Sequence, residues 1–268
     1  MNYIAVGGQA IAVELSGEGR PLVLLHGLGA DRGQVRTVLP APAGFQCIYA
    51  DMPGHGETPL QAASGEIGFD QFAVLLRALL DRLGIARAVV GGISMGAAIS
   101  LRLALDVPDR VAGLILIRPS WLDGPARPHL DIVERVGHWQ ERIPQDAEAL
   151  LEVDPEYVEL RHAIPAAAQS VRGLLLRPQA RQAAAVLGAM VADRPFHSLD
   201  ALVGIKCESL VIGNEGDPLH PVYIAGAIAE TLPMARLRMV PSRYLSPAEH
   251  VAALRGEVRQ FLDQLGEF

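Results

Sequence analysis

The run Gly92-Ile93-Ser94-Met95-Gly96 constrains this chain more than any other. It follows the apolar residues Ala88-Val89-Val90 after one further glycine, Gly91, and opens a small-residue stretch of helical character from Ala97 to Leu105. A serine with glycine at both i−2 and i+2, where a strand passes into a helix, marks a tight turn that lifts the hydroxyl above a sheet. Glycine is needed because the serine backbone is forced into an unfavourable conformation and its neighbours crowd it. In a chain with 27 glycines among 268 residues the pattern alone is weak, so its surroundings decide its meaning.

Those surroundings alternate strand and helix. Tyr3–Val6 and Ala10–Leu15, joined by Gly7-Gly8-Gln9, read as a hairpin. Strand-like runs follow at Pro21–Leu25, Phe45–Ala50, Ala88–Gly91, Gly113–Ile117, Ser209–Ile212 and Arg236–Val240. The continuously apolar Leu22-Val23-Leu24-Leu25 fits a parallel strand covered on both faces. Phe69, Phe72, Leu75, Leu76, Leu79, Leu80 and Leu83 recur at helical spacing, with Gly84 suited to the C-terminal cap. A last helix is predicted over about His250 to Leu265. The pattern predicts an α/β protein with a doubly wound, mostly parallel sheet of about eight strands.

Residues 120–199 break the rhythm. They carry no strand signal, and prolines punctuate short helical stretches, clearest over Glu156–Ala168 and Gln179–Ala192. About 80 residues are too many for a structureless loop. This predicts an all-helical insertion at 120–199, packed as a lid over a core formed by residues 1–119 and 200–268.

A net charge of −7 and scarce aromatics exclude a basic stripe or stacking platform for nucleic acid. No apolar run approaches the ~20 residues needed to cross a bilayer, so no membrane partner is expected. The start Met1-Asn2-Tyr3-Ile4 lacks a basic region followed by an apolar stretch, so no signal peptide is expected and the location reads as cytoplasmic. Cys47 and Cys207 read as small hydrophobes, metal-ligand spacing is absent, and no metal or cofactor is expected. The expected partner is a small-molecule substrate; homo-oligomerisation is left open.

Ligands of an open parallel sheet bind beyond the carboxyl ends of its strands, and the unusual residues gather there. His26-Gly27-Leu28-Gly29 offers the Leu28 amide as half of an oxyanion hole, the Met95 amide being the other half. His26 reads as a brace for that loop. Asp51-Met52-Pro53-Gly54-His55-Gly56 reads mainly as turn punctuation. In Gly213-Asn214-Glu215-Gly216-Asp217-Pro218, Asp217 can turn its carboxylate toward the end of the sheet and hold an imidazole. Asp123 is the rival acid. The only histidine after the last strand is His250, in the first turn of the final helix behind Ser246-Pro247. Its nine-residue connection from Pro241 reaches about 30 Å when extended, enough to return to Ser94. His220 is the alternative base, poorly spaced for Asp217 at only three residues away.

These motifs, in this order and at strand ends, resemble the α/β-hydrolase fold superfamily along essentially the whole chain. The resemblance implies a serine hydrolase of the helical-cap esterase type, with Ser94 as nucleophile, Asp217 as acid and His250 as base. Many members carry Gly-His directly after the last strand, where this chain has Tyr244-Leu245. The implied reaction is cleavage of a small, apolar ester through an acyl-enzyme. Lactone, thioester and C–C bond hydrolysis stay open, as does a catalytically weak ligand-binding relative. Arg118, which can meet a substrate carboxylate, and Trp121 are the candidate substrate-binding residues.

Overall fold

The computed structural model describes residues 2–61, 67–124, 127–178 and 180–268. Its sheet has eight strands: β1 (Asn2–Val6), β2 (Gln9–Ser16), β3 (Arg20–Leu25), β4 (Phe45–Ala50), β5 (Ala88–Ile93), β6 (Val111–Ile117), β7 (Glu208–Asn214) and β8 (Ala235–Val240). They lie in the order β1-β2-β4-β3-β5-β6-β7-β8. β1 and β2 pair antiparallel, as do β2 and β4, and every later pairing is parallel. The β1–β2 hairpin turns on Gly7 and Gly8, whose φ angles of 56° and 84° L-residues with side chains rarely adopt. This is the doubly wound architecture that the alternating pattern predicts.

The helices among the described residues are α1 (Arg32–Val38), α2 (Phe69–Arg82), α3 (Met95–Asp106), α4 (Asp131–Arg142), α5 (Ala147–Val153), α6 (Pro155–Ala163), α7 (Pro165–Leu176), α8 (Ala180–Ala192), α9 (Val222–Thr231) and α10 (Pro247–Gln264). Period-two alternation divides the core. Val23 and Leu25 of β3 pack with α2, α3 and α9, while Leu22 and Leu24 pack on the opposite face with Val35 of α1 and Leu254, Val258 and Phe261 of α10. All four β3 side chains are fully buried, and truncating any one to alanine should cost about 2–5 kcal/mol.

Between β6 and β7 the chain is helical, with α4 and α8 packing through Ile132, Val133, Val136, Val186, Leu187 and Met190. The helix expected over Glu156–Ala168 is two helices, α6 and α7. Pro165 is the first residue of α7 and forces Ile164 out of the helical region, to φ −141° and ψ 80°. The helix expected over Gln179–Ala192 runs from Ala180, and Gln179 lies outside the described residues. No helix among the described residues is long and apolar enough to cross a membrane.

Candidate active site

Gly92-Ile93-Ser94-Met95-Gly96 ends β5 and begins α3. Ser94 stands between them at φ 56° and ψ −107°, a strained conformation that costs about 1–3 kcal/mol. Its N–H donates to the Ile117 carbonyl at the end of β6 (2.9 Å), and its carbonyl accepts from Ala98 in α3 (3.1 Å). The turn is pressed against β3. A Cβ on Gly92 would lie 2.4 Å from the Leu25 carbonyl oxygen, and one on Gly96 would lie 2.5 Å from the same atom. Met95 is the first residue of α3, so its N–H has no intrahelical acceptor.

The loop after β3 is fixed from several sides. Gly27 N–H donates to Oε1 of Gln34 in α1 (2.9 Å), and Ala30 N–H donates to the Gly27 carbonyl (3.1 Å). Met52 N–H donates to Nε2 of His26 (3.0 Å), so the ring proton sits on Nδ1 and donates to the Gly27 carbonyl (2.8 Å). His55 repeats the arrangement, accepting from Gly29 N–H at Nε2 and donating from Nδ1 to Pro53. Both rings are fully buried, and burial lowers them to about 4 and about 3, which keeps them neutral struts. Leu28 projects from this braced loop into a cavity that Ser94 also lines.

Across that cavity lies the loop after β7. Asp217 N-terminally anchors a tight turn in which His220 N–H donates back to the Asp217 carbonyl (3.1 Å). The turn folds the imidazole over its own acid: Nδ1 of His220 lies 2.9 Å from Oδ1 of Asp217. The same carboxylate accepts from Leu219 N–H (3.2 Å), and Nη1 of Arg118 stands 3.4 Å from Oδ2. Burial alone would raise the Asp217 carboxyl. The His220 ring, then Arg118 and Arg243, outweigh it and hold the group well below the ordinary carboxylate range. His220 is lowered, chiefly by burial and further by Arg118 and Arg243, against the pull of Asp217. A neutral imidazole here leaves one ring nitrogen able to accept a proton.

The sequence reading set His250 against Asp217, and here the geometry differs. The buried His250 ring bonds through Nδ1 to the Pro241 carbonyl (2.8 Å) and does not line the cavity, whereas His220 does. Its place at the start of α10, held by the strand end, keeps it on that backbone. Asp123, the rival acid, accepts from Leu199 N–H (2.8 Å) and joins two ends of the helical insertion. Arg118, offered as a substrate contact, is 5% exposed, pairs with Asp217 and does not line the cavity. Burial and the neighbouring Arg243 lower its guanidinium to about 10. Trp121 does line the cavity; its Nε1–H donates to the Met190 carbonyl (3.0 Å) and its ring meets Phe69 edge-on at 5.2 Å.

The cavity is small, about 70 Å³. Its walls also include Gln34, Ser170, Arg177 and Arg243. Arg177 follows α7 and Arg243 follows β8, so no local pattern marks them as neighbours. Among the described residues no cluster of histidine, cysteine or acidic side chains could hold a metal ion.

The family model described as alpha/beta hydrolase fold matches residues 20–244, and the chain belongs to that family. A Rhodobacter capsulatus protein named magnesium-chelatase 30 kDa subunit is 28% identical over 263 residues, covering 92% of this chain and 88% of that protein. The dihydrolipoyllysine-residue acetyltransferase component of the acetoin cleaving system of Pseudomonas putida is 43% identical over 120 residues. That match spans 44% of this chain and only 32% of the relative's length. Among solved structures, a thermophilic esterase from Thermogutta terrifontis with malate bound is similar at TM-score 0.77 and 26% identity, over 100% of both chains. Relatives with names this diverse share a fold, so activity has to be argued from the site.

Proposed function

We propose that this member of the alpha/beta hydrolase fold family is a serine hydrolase that cleaves a small ester through an acyl-enzyme. In this reading Ser94 is the nucleophile, His220 the general base and Asp217 the acid that orients it. The observation that carries it is the 2.9 Å contact between Asp217 and a cavity-facing His220, in the wall of the cavity that Ser94 also lines.

The steps follow from the proton inventory. Nε2 of His220 takes the Ser94 proton as Oγ attacks the ester carbonyl, and the Asp217 carboxylate, 2.9 Å from Nδ1, stabilises the imidazolium that forms. The Leu28 and Met95 amides donate to the developing oxyanion; each such donor is worth about 3 kcal/mol of barrier. Nε2 then protonates the departing alcohol, leaving the acyl group on Ser94. Water, losing its proton to the same nitrogen, attacks the acyl carbon and releases the acid. The remaining wall is largely apolar, from Trp121, Leu130, Val133, Leu174 and Leu219, which suits an acyl or aryl chain.

Covalent labelling by a fluorophosphonate tests the assignment. Wild type and His250→Gln should be labelled, while Ser94→Ala and His220→Gln should not. Labelling that survives in His220→Gln and is lost in His250→Gln would move the base to His250. No labelling of folded wild type would remove the covalent mechanism altogether.

A further inference from the structure

The proposed chemistry leaves two cations in the cavity unexplained. No aspartate or glutamate lines it among the described residues, yet Arg177 and Arg243 both do, in a chain whose net charge is −7. In the same insertion Arg135 pairs with Asp154 and Glu156, Arg161 with Glu152, and Arg172 with Glu148. Arg177 does not. Its Nη1 is buried with no hydrogen-bond partner among the described residues. It packs against the loop carrying Leu28, 3.5 Å from where a Gly29 Cβ would lie. Asp31, the nearby acid that acts on it, spends Oδ1 capping α1 through Gly33 N–H (2.8 Å). Among the described residues Arg243 hydrogen-bonds only the Ser170 hydroxyl, at 3.5 Å, lies over the Tyr244 ring at 4.6 Å, and feels Asp217 at longer range.

Both side chains are half-buried and neither makes an ion pair among the described residues, Asp31 acting on Arg177 and Asp217 on Arg243 only at longer range, so an anion in the cavity would complete them. They also repel, since each guanidinium feels the same field. The surrounding wall is apolar apart from Ser170, Gln34 and the proposed catalytic groups. A planar guanidinium matches a carboxylate through paired N–H donors, and two of them match it better. We infer that the substrate carries a carboxylate remote from the scissile bond, and that Arg177 and Arg243 hold it in the cavity shared with Ser94. The inference rests on the serine-hydrolase reading and specifies its substrate class: half-esters of dicarboxylic acids, or esters of comparable anionic acids.

Two 4-nitrophenyl esters of equal length make the test, the hydrogen adipate (anionic) and the methyl adipate (neutral). Wild type should favour the anion in kcat/KM by about 10- to 100-fold, the worth of a charge-assisted hydrogen bond. Arg177→Gln should erode that preference through KM while turnover of the neutral ester persists, and Arg243→Gln should erode it likewise when both esters are compared above the pH midpoint of the neutral one. Lysine at either position should restore part of it. Equal use of both esters by wild type, or equal loss on both in the glutamine variants, would overturn the inference and leave the hydrolase reading standing.

Binding separates the two ideas independently of turnover. Folded Ser94→Ala titrated calorimetrically with adipate should bind it, and adding Arg177→Gln or Arg243→Gln should abolish binding. That result with no ester turned over by wild type would sink the hydrolase reading and keep the anion site. Absence of adipate binding would sink the anion site. Inorganic phosphate binding more tightly than adipate would overturn the carboxylate assignment.

Discussion

Nδ1 of His220 lies 2.9 Å from Oδ1 of Asp217, three residues earlier in the same loop. One turn after β7 therefore supplies both the imidazole and the carboxylate that faces it. On its other oxygen Asp217 meets Arg118, 3.4 Å away at the end of β6. The carboxylate thus balances a buried cation while orienting a neutral ring, and these duties separate on mutation.

Asp217→Asn should lower kcat by about 10³- to 10⁴-fold, because the ring loses the partner that fixes its tautomer and stabilises its charged form. It should also lower the melting temperature, since Arg118 becomes a buried cation without a counter-charge, a change that costs about 3–5 kcal/mol. Combining it with Arg118→Gln should recover much of the melting temperature and none of the turnover. Recovery of turnover in the double variant would show that Asp217 serves only to neutralise Arg118.

The pH dependence carries a second signature. A general base works when unprotonated, so kcat/KM should rise as pH climbs through the His220 pKa and level off above it. Burial, with Arg118 and Arg243 adding to it, lowers that pKa, so the midpoint should fall below 6.5. Arg243→Gln removes one of the repelling cations and should move the midpoint upward. A pH–rate profile on the neutral ester reads both. A wild-type midpoint above 7, or a downward move in the variant, would contradict His220 as base.

Much of this was written locally and some was not. The apolar run Leu22–Leu25 announces a strand buried on both faces, and the structure divides those four residues between two cores. The glycine–serine elbow is equally legible, because crowding against the Leu25 carbonyl leaves no room for a Cβ. The partner of Asp217 was not legible. A separation of three residues looks too short until the backbone bond from His220 to Asp217 folds the loop back on itself. Arg177 and Arg243 belong to segments 66 positions apart, and only tertiary packing brings them to one cavity. The break between α6 and α7 could have been read from Pro165, whose preference for a first-turn position outranks the helical periodicity around it.

Glycine substitutions test the elbow apart from any chemistry. Gly92→Ala and Gly96→Ala each drive a Cβ to within 2.5 Å of the Leu25 carbonyl oxygen, a backbone atom of a central strand. Each should destabilise by about 2 kcal/mol or more, within the range for overpacked cores, and lower turnover by displacing Ser94. Gly256→Ala is the control. That glycine lies within α10 and is exposed, with nothing within 4 Å of an added Cβ, so alanine should stabilise by about 0.5–1 kcal/mol. Denaturant titrations of the three variants decide it, and a neutral Gly92→Ala would mean that β3 and β5 are less tightly abutted than described.

His26 and His55 make a prediction about acid. Both are fully buried, their rings lie 4.8 Å apart, and each accepts a backbone N–H that a protonated ring could not accept. Burial brings their folded values down to about 4 and about 3, below the unfolded value of 6.5. As pH falls below 6.5 the unfolded chain therefore binds protons that the folded chain refuses. The stability that these rings contribute is complete above 6.5 and drains away down to the folded values, His26 alone losing about 3 kcal/mol. Urea unfolding at pH 7, 5.5 and 4.5 should show that decline. His26→Gln, which keeps an acceptor for Met52 N–H and a donor for the Gly27 carbonyl, should flatten it by up to about 1.4 kcal/mol per pH unit. An unchanged slope in that variant would mean that His26 is protonated as readily in the folded chain as in the unfolded one, and the loop carrying Leu28 would then lack its neutral strut.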